Sequence, residues 1–142
     1  RPAAFPYNKY SNVVFYGSVP REKVYEMIGS GKVYVNLSGQ EGFGMNPLTA
    51  LYMKLRVVTL DVEYYRETMG DAPGVYWVQP DGYVDCNVNY SLVVRVYYAD
   101  PQKFADAALK ALEDWEPNEE GRRYVMERYP PDVYKRFLKF LS

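Results

Sequence analysis

Apolar residues in this chain recur at two spacings, which predict strands that alternate with helices. Short runs rich in β-branched and aromatic residues predict strands over residues 12–16, 32–37, 56–61 and 74–78, and the first of these is typical of a strand that is buried on both faces. Apolar residues three and four positions apart predict helices that begin at Pro20, Asn46 and Glu63. This alternation favours a parallel sheet with right-handed crossovers. We therefore predict one Rossmann-like α/β domain, a parallel sheet flanked by helices, over residues 1–142.

The last third of the chain combines one ambiguous segment with further helices. Residues 91–98 predict a strand, with a buried loop as the alternative. Asp100 and Pro101 predict the start of a helix. The apolar stripe of this helix consists of Phe104, Ala105, Ala108, Leu109 and Leu112. Another helix is predicted over 118–128, and a pair of prolines separates it from a last amphipathic helix over 133–141.

A glycine-rich loop between the second predicted strand and the next helix is the first candidate for function. Gly42 and Gly44 give this loop a flexible backbone, Asn46 is expected to cap the helix, and Pro47 suits its first position. In open α/β sheets, ligands bind outside the carboxyl ends of the strands, where helix N-termini direct backbone N–H groups at anions. We therefore predict a ligand site at this loop.

Composition restricts the chemistry that such a site can use. With 142 residues and a net charge of -1, the chain suits one soluble domain and is too balanced to be a dedicated binder of polyanions. Its single cysteine, Cys86, cannot form an intramolecular disulfide, and the absence of histidine removes the usual zinc ligand and general base. We expect carboxylates, hydroxyls or backbone groups to act without a metal or cofactor. No apolar run approaches the roughly 20 residues that span a bilayer, so a cytoplasmic location is the default.

Four short motifs occur in one order along the first part of the chain. They are Phe15-Tyr16-Gly17, Leu37-Ser38-Gly39-Gln40-Glu41-Gly42-Phe43-Gly44, Val57-Val58-Thr59-Leu60-Asp61, and Glu67 followed by Gly70-Asp71-Ala72. In order and spacing they resemble the C-terminal half of retaining GT-B glycosyltransferases of the glycogen-synthase-like and mannosyltransferase-like group. The resemblance covers about residues 12–80.

The resemblance implies a role for individual residues. Glu41 matches the first carboxylate of the family's Glu-x7-Glu signature, which faces the hydroxyls of the donor sugar, and we predict it as the catalytic residue. The implied donor-binding residues are Gly17, Ser18, Val19, Gly42, Phe43, Gly44, Met45 and Thr49. The first three match the turn beside the nucleotide base, and the glycine loop with Met45 presents N–H groups to the sugar and diphosphate. Phe43 has an alternative interpretation, in which its ring anchors the loop in the core.

The chain departs from the family at three positions. Thr49 stands where the family has the second carboxylate of its signature, which binds the ribose hydroxyls. A hydroxyl can make one such hydrogen bond, but it cannot bind two ribose hydroxyls as a carboxylate does. Lys54 and Arg56 replace the glycine and proline that precede the third predicted strand. Thr49 and Lys54 are therefore open to two interpretations, helix-surface residues or replacement contacts.

The resemblance also implies what the whole protein does. It implies a retaining glycosyltransferase of the hexosyltransferase type that takes a nucleotide-sugar donor and an unknown acceptor. This chain would be its donor-binding domain, a fragment that is inactive without an N-terminal GT-B domain. The alternative is a non-catalytic α/β interaction or assembly module that kept the fold and lost the donor site.

A cluster of basic residues near the C-terminus suggests other partners. The cluster consists of Arg122, Arg123, Arg128, Lys135, Arg136 and Lys139. Because Glu119, Glu120 and Glu127 interleave with it, we interpret it as a solvated helix face and expect no nucleic-acid partner. Peripheral contact with lipid headgroups at a membrane stays open.

Overall fold

Between residues 20 and 78, helices and strands alternate in the order that the apolar pattern predicts. The computed structural model describes residues 9–40 and 45–129. Within them the elements in chain order are α1 (Arg21–Gly29), β1 (Val33–Val35), α2 (Met45–Tyr52), β2 (Arg56–Leu60), α3 (Glu63–Met69), β3 (Val75–Val78), β4 (Gly82–Asn89), β5 (Leu92–Tyr98), α4 (Pro101–Leu112) and α5 (Glu119–Arg128). The α/β fold class is confirmed. The helix predicted over 133–141 lies outside the described residues.

The first three strands form a parallel sheet with β2 in the centre. The described strand order is β1-β2-β3, and the register pairs Val33 with Arg56 and Val57 with Val75. Residues 57–60 of β2 are all buried. The strand is covered because α4 packs across all three strands and α2 packs against β2. A run of apolar residues without alternation, as in β2, is typical of a strand that is covered on both faces.

Helix α2 is buried on every side rather than along one stripe. Residues 47–52 are all buried, because α2 contacts β2, α1 and α5. The predicted stripe at Leu48, Leu51, Tyr52 and Leu55 is buried in full, although Leu55 follows the helix. The predicted first helical residue, Pro47, is two residues late. Since α2 begins at Met45, Asn46 lies in its first turn and is not its cap.

The strand predicted over residues 12–16 is wrong. These residues belong to no helix or strand, and the side chains of residues 13–16 are exposed. Their apolar and β-branched composition suits a buried strand, but a strand also needs a partner for its backbone hydrogen bonds. Within the described residues, the only strand that pairs with β1 is β2. Composition alone therefore cannot place this run in the sheet.

Strands β4 and β5 form an antiparallel hairpin that is separate from the parallel sheet. Its register pairs Tyr83 with Tyr97 and Asp85 with Arg95, and the last two also form an ion pair with Nε and Oδ1 2.9 Å apart. At the base, the N–H of Asp81 donates to the carbonyl of Tyr98 over 2.8 Å. The strand predicted over 91–98 is confirmed as β5, whereas β4 is not predicted.

Helix α4 faces the sheet with a stripe that matches the predicted one only at Phe104 and Ala108. Its start is confirmed, because the Asp100 carboxylate accepts from the N–H of Gln102 at 2.9 Å. Phe104 and Ala111 are buried and Ala107 and Ala108 half-buried, whereas three predicted stripe residues are exposed. Those three are Ala105, Leu109 and Leu112. Both sets have helical spacing, and the small alanines allow the helix to lie close to the strands.

Lys54 occupies a strained position in the turn between α2 and β2. Its φ of 68° lies in the left-handed region, which costs a residue with a side chain about 1 kcal/mol. The partly exposed ion pair of its Nζ with Glu119, at 2.9 Å, offsets only part of this. We expect Lys54→Gly to raise the free energy of unfolding by about 0.5–1 kcal/mol. Urea denaturation measures the change.

The control for this prediction is Lys54→Ala. It keeps the strain and removes the ion pair, so it should lower the free energy of unfolding slightly. A Lys54→Gly protein that is less stable than Lys54→Ala would show that the turn does not favour glycine.

Candidate functional site

Residues 36–40 lead from β1 toward the glycine-rich loop at the carboxyl edge of the parallel sheet. Asn36 is buried directly after β1. Its side-chain Nδ2 donates to the hydroxyl of Thr59 at 3.1 Å, and its Oδ1 accepts from the N–H of Ser38 at 3.4 Å. These bonds connect the carboxyl ends of β1 and β2. The sequence analysis missed Asn36, although a single polar residue inside an apolar run is a signal that could have marked it.

Two other elements hold the same segment. The hydroxyl of Tyr65 on α3 donates to the carbonyl of Ser38 at 3.3 Å, and the N–H of Tyr97 on β5 donates to the carbonyl of Gly39 at 2.9 Å. A side chain at position 39 would collide with the carbonyl oxygen of Tyr97. The backbone of β5 therefore requires glycine here. The chain enters the glycine-rich loop from a segment that β2, α3 and β5 position together.

The turn of Gly17, Ser18 and Val19 precedes helix α1. Gly17 has a φ of 66°, in the left-handed region that favours glycine. Gly17 and Ser18 are exposed, whereas Val19 is half-buried. The backbone conformation therefore explains why position 17 is a glycine. The exposed turn is accessible to a ligand.

A cavity of about 370 Å³ lies between the start of α1 and the start of α2. The described residues that line it are Val19, Arg21, Val24, Tyr25, Met45 and Asn46. Val19 and Met45 were predicted as donor-binding residues from separate motifs, and the structure places both in this wall. Arg21 and Asn46 were not predicted as site residues. Their position depends on how α1 packs beside α2, which no local pattern shows.

Thr49 lies away from the surface. Its side chain is fully buried, with 0% exposed, and its hydroxyl donates to the carbonyl of Met45, one turn earlier in α2, at 2.8 Å. The interpretation of Thr49 as a helix-surface residue is wrong. Because the hydroxyl is used inside the helix and has no accessible surface, we leave Thr49 out of the proposed donor site.

Asp61 follows β2 at the same edge of the sheet and is held by protein donors. Arg66 donates to both of its carboxylate oxygens, at 2.6 and 2.8 Å, and Gln79 donates at 2.6 Å. The Arg66 guanidinium holds the pKa of Asp61 below its usual value, while partial burial acts in the opposite direction. The guanidinium also lies over the ring of Trp77, 3.8 Å from its centroid. Asp61 therefore serves to connect β2, α3 and β3.

Lys54 and Arg56 lie at the amino end of β2, opposite the candidate site. Nη1 of Arg56 donates to the carbonyls of Ala111 and Glu113 at the end of α4, at 2.8 and 3.1 Å. Lys54 pairs with Glu119 at the start of α5. The interpretation of Lys54 as a replacement contact for the donor is therefore wrong, and both departures from the family act on packing.

The basic cluster near the C-terminus is only partly described. Arg122 donates to the hydroxyl of Tyr52 at 3.4 Å, and Arg128 donates to the carbonyl of Glu67 at the same distance. These two arginines therefore connect α5 to α2 and α3. The remaining described member is Arg123, which is exposed. The three basic residues after position 130 lie outside the described residues.

Part of the predicted site falls on residues that the structure does not describe. These are Glu41, Gly42, Phe43 and Gly44. What the structure does describe is both flanks of this loop, with residues 36–40 on one side and the start of α2 on the other. The parallel sheet and the helices that flank it form a Rossmann-like α/β arrangement.

The family model for glycosyl transferases group 1 matches residues 6–128. The chain belongs to this family, which confirms the resemblance that the four motifs predict. No curated protein and no solved structure matches the chain. Among the described helices, none combines the length and the apolar character needed to cross a membrane.

Proposed function

We propose that this chain is the donor-binding domain of a retaining glycosyltransferase and that its donor is a nucleotide-linked sugar. Family membership supports sugar transfer in general. The observation that best supports a nucleotide-linked donor is the cavity between α1 and α2, whose wall contains Val19 and Met45. Its volume lies in the range of small-molecule sites, and it opens beside the turn that the resemblance assigns to the base.

Each proposed residue has a separate task in this account. Glu41 faces the hydroxyls of the donor sugar, and Gly42, Phe43 and Gly44 belong to the loop whose N–H groups meet the sugar and diphosphate. Gly17, Ser18, Val19 and Met45 surround the nucleotide. Catalysis then consists of positioning the donor and stabilising the departing diphosphate with backbone donors.

The acceptor would be bound by a second domain that is N-terminal to this one. Residues 13–16 support a larger assembly, because four consecutive apolar or aromatic side chains are exposed there. Exposed contiguous apolar surface is typical of a region that another part of a protein covers.

A non-catalytic interaction module is the second candidate function, and the burial of Thr49 favours it. Without a carboxylate at this position, the ribose lacks the partner that the resemblance implies. The length of the parent reading frame separates the two candidates. An adjoining N-terminal Rossmann-like domain favours the enzyme, whereas a native start and stop at these ends favours the module.

Substitution of Glu41 tests the proposed enzymatic function. We expect Glu41→Gln to weaken binding of a sugar nucleotide about tenfold or more, because a charge-assisted hydrogen bond to the sugar is lost. Binding of the matching nucleoside diphosphate should change little, because it has no sugar at that position. Calorimetric titration of both ligands on the wild-type and variant chains measures the difference.

Glu116→Gln is the matched control. Glu116 is exposed and lies beyond α4, so this variant makes the same change in charge away from the site. It should bind both ligands as the wild type does. Equal weakening of both ligands by Glu41→Gln would contradict the role of Glu41.

A further inference from the structure

Arg21 differs from most described arginines because it has no partner among the described residues. It makes no ion pair, hydrogen bond or ring contact with any described residue, whereas Arg56, Arg66 and Arg95 are each held by two hydrogen bonds. Arg21 is exposed, and it lines the cavity between α1 and α2. It is the only charged side chain among the described residues of the wall. The guanidinium of Arg21, which can donate several hydrogen bonds, therefore lines the cavity without an acceptor among the described residues.

The position of Arg21 is also unfavourable for the helix that carries it. Arg21 is the first residue of α1, and Pro20 before it provides no side-chain cap. A positive charge at this end opposes the helix dipole, where a negative charge would be favourable. The stability of the helix therefore does not explain an arginine at this position.

The rest of the wall suits a flat ring. Val19, Val24, Tyr25 and Met45 provide apolar or aromatic surface, which can pack on the faces of a nucleotide base. Asn46 can donate or accept hydrogen bonds, so it does not select one type of base edge. Arg21 can only donate, so it requires acceptors on the ligand.

We propose that Arg21 makes this cavity select nucleotide bases that carry a keto oxygen, guanine or uracil, over bases that carry an amino group in its place, adenine or cytosine. This inference rests on the proposed function. A keto oxygen accepts a hydrogen bond from a guanidinium, as in the contact of arginine with O6 and N7 of guanine, whereas an amino group presents a second donor to it.

Four ligands test the selection. UDP, GDP, ADP and CDP combine either ring size with either a keto oxygen or an amino group at one ring position, C4 of the pyrimidines and C6 of the purines. Base size and the chemistry at this position are therefore separated. Wild-type protein should bind UDP more tightly than CDP, or GDP more tightly than ADP, by about tenfold or more. Arg21→Gln should remove this preference, because glutamine can accept from an amino group as well as donate. Calorimetric titration measures all eight affinities.

Two further variants separate base selection from charge and folding. Lys23→Gln removes one positive charge from the same helix, where Lys23 pairs with Glu26 at 3.2 Å, and should retain the preference. Arg21→Lys retains the charge but loses the planar fork, and should lose most of the preference. The melting temperature of Arg21→Gln should equal or exceed that of the wild type, because the variant removes a charge that opposes the helix dipole.

The possible failures are distinguishable. If none of the four ligands binds the wild-type protein, the proposed function fails. If they bind without a preference for the keto bases, or if Arg21→Gln weakens all four equally, the role of Arg21 in base selection is wrong while the nucleotide site stands.

Discussion

Thr49→Glu is expected to lower the free energy of unfolding by about 3–5 kcal/mol, because it places an unpaired carboxylate at a position with 0% of its side chain exposed. It should not tighten nucleotide binding. The family signature alone predicts the opposite, since it has a carboxylate at this place that binds ribose. Because Thr49 is buried in this chain, we expect the loss of stability and not tighter binding of the nucleotide. Chemical denaturation and a nucleoside diphosphate titration on the same protein measure both effects.

Thr49→Val is the control for this substitution. It keeps the shape of the side chain and removes only the hydroxyl that donates to the carbonyl of Met45. The expected loss is about 1 kcal/mol, the usual value of one hydrogen bond. A Thr49→Glu protein with unchanged stability and tighter nucleotide binding would show that position 49 is open to the ligand after all.

Gly39→Ala is expected to have the second large effect, a loss of about 3 kcal/mol in the free energy of unfolding. The new methyl group would collide with the backbone carbonyl of Tyr97, and also with a side-chain carbon of Val96 at 2.8 Å. Backbone cannot move aside as the end of a flexible side chain can. The hairpin must therefore shift away from residues 36–40, and the hydrogen bond from Tyr97 to Gly39 should break. Hydrogen exchange at the Tyr97 amide should become faster.

Gly29→Ala controls for the loss of a glycine in itself. A methyl group at position 29, the last residue of α1, would meet the sulfur of Met53 at 3.5 Å, an ordinary contact. This variant should be as stable as the wild type or up to about 1 kcal/mol more stable. If Gly39→Ala were also neutral, the hairpin would not hold the segment that leads to the loop.

The helices were the most predictable part of the fold because their signals are local. The Asp100-Pro101 pair marks the start of α4, and Asn118, whose side chain accepts from the N–H of Gly121 at 3.0 Å, marks the start of α5. In both cases a capping residue and its target lie within four positions of each other.

Elements that depend on distant partners were harder to predict. Residues 12–16 have the composition of a strand, but no local signal shows whether a neighbouring strand is there to pair with them. In α4 the predicted and the observed stripe share Phe104 and Ala108, and contact with the strands then selects Ala107 and Ala111 over Leu109 and Leu112. Composition and spacing cannot supply that information.

The candidate site shows the same division. Glycine-rich motifs pointed to Gly17 and to the loop that begins at Glu41, and Gly17 has the left-handed backbone that such motifs suggest. The burial of Thr49 and the place of Arg21 in the cavity follow from how α2 packs against α1, α5 and β2. These are tertiary facts, which no motif contains.

Amide chemical shifts during titration with sugar nucleotides and their nucleoside diphosphates test the central claim most directly. We expect saturable changes at Gly17, Val19 and Met45 with at least one of these ligands, and none at Lys54 and Arg56 at the opposite end of β2. No change with any of them at millimolar concentration, or changes confined to α5, would contradict a nucleotide-sugar site at the carboxyl edge of this sheet.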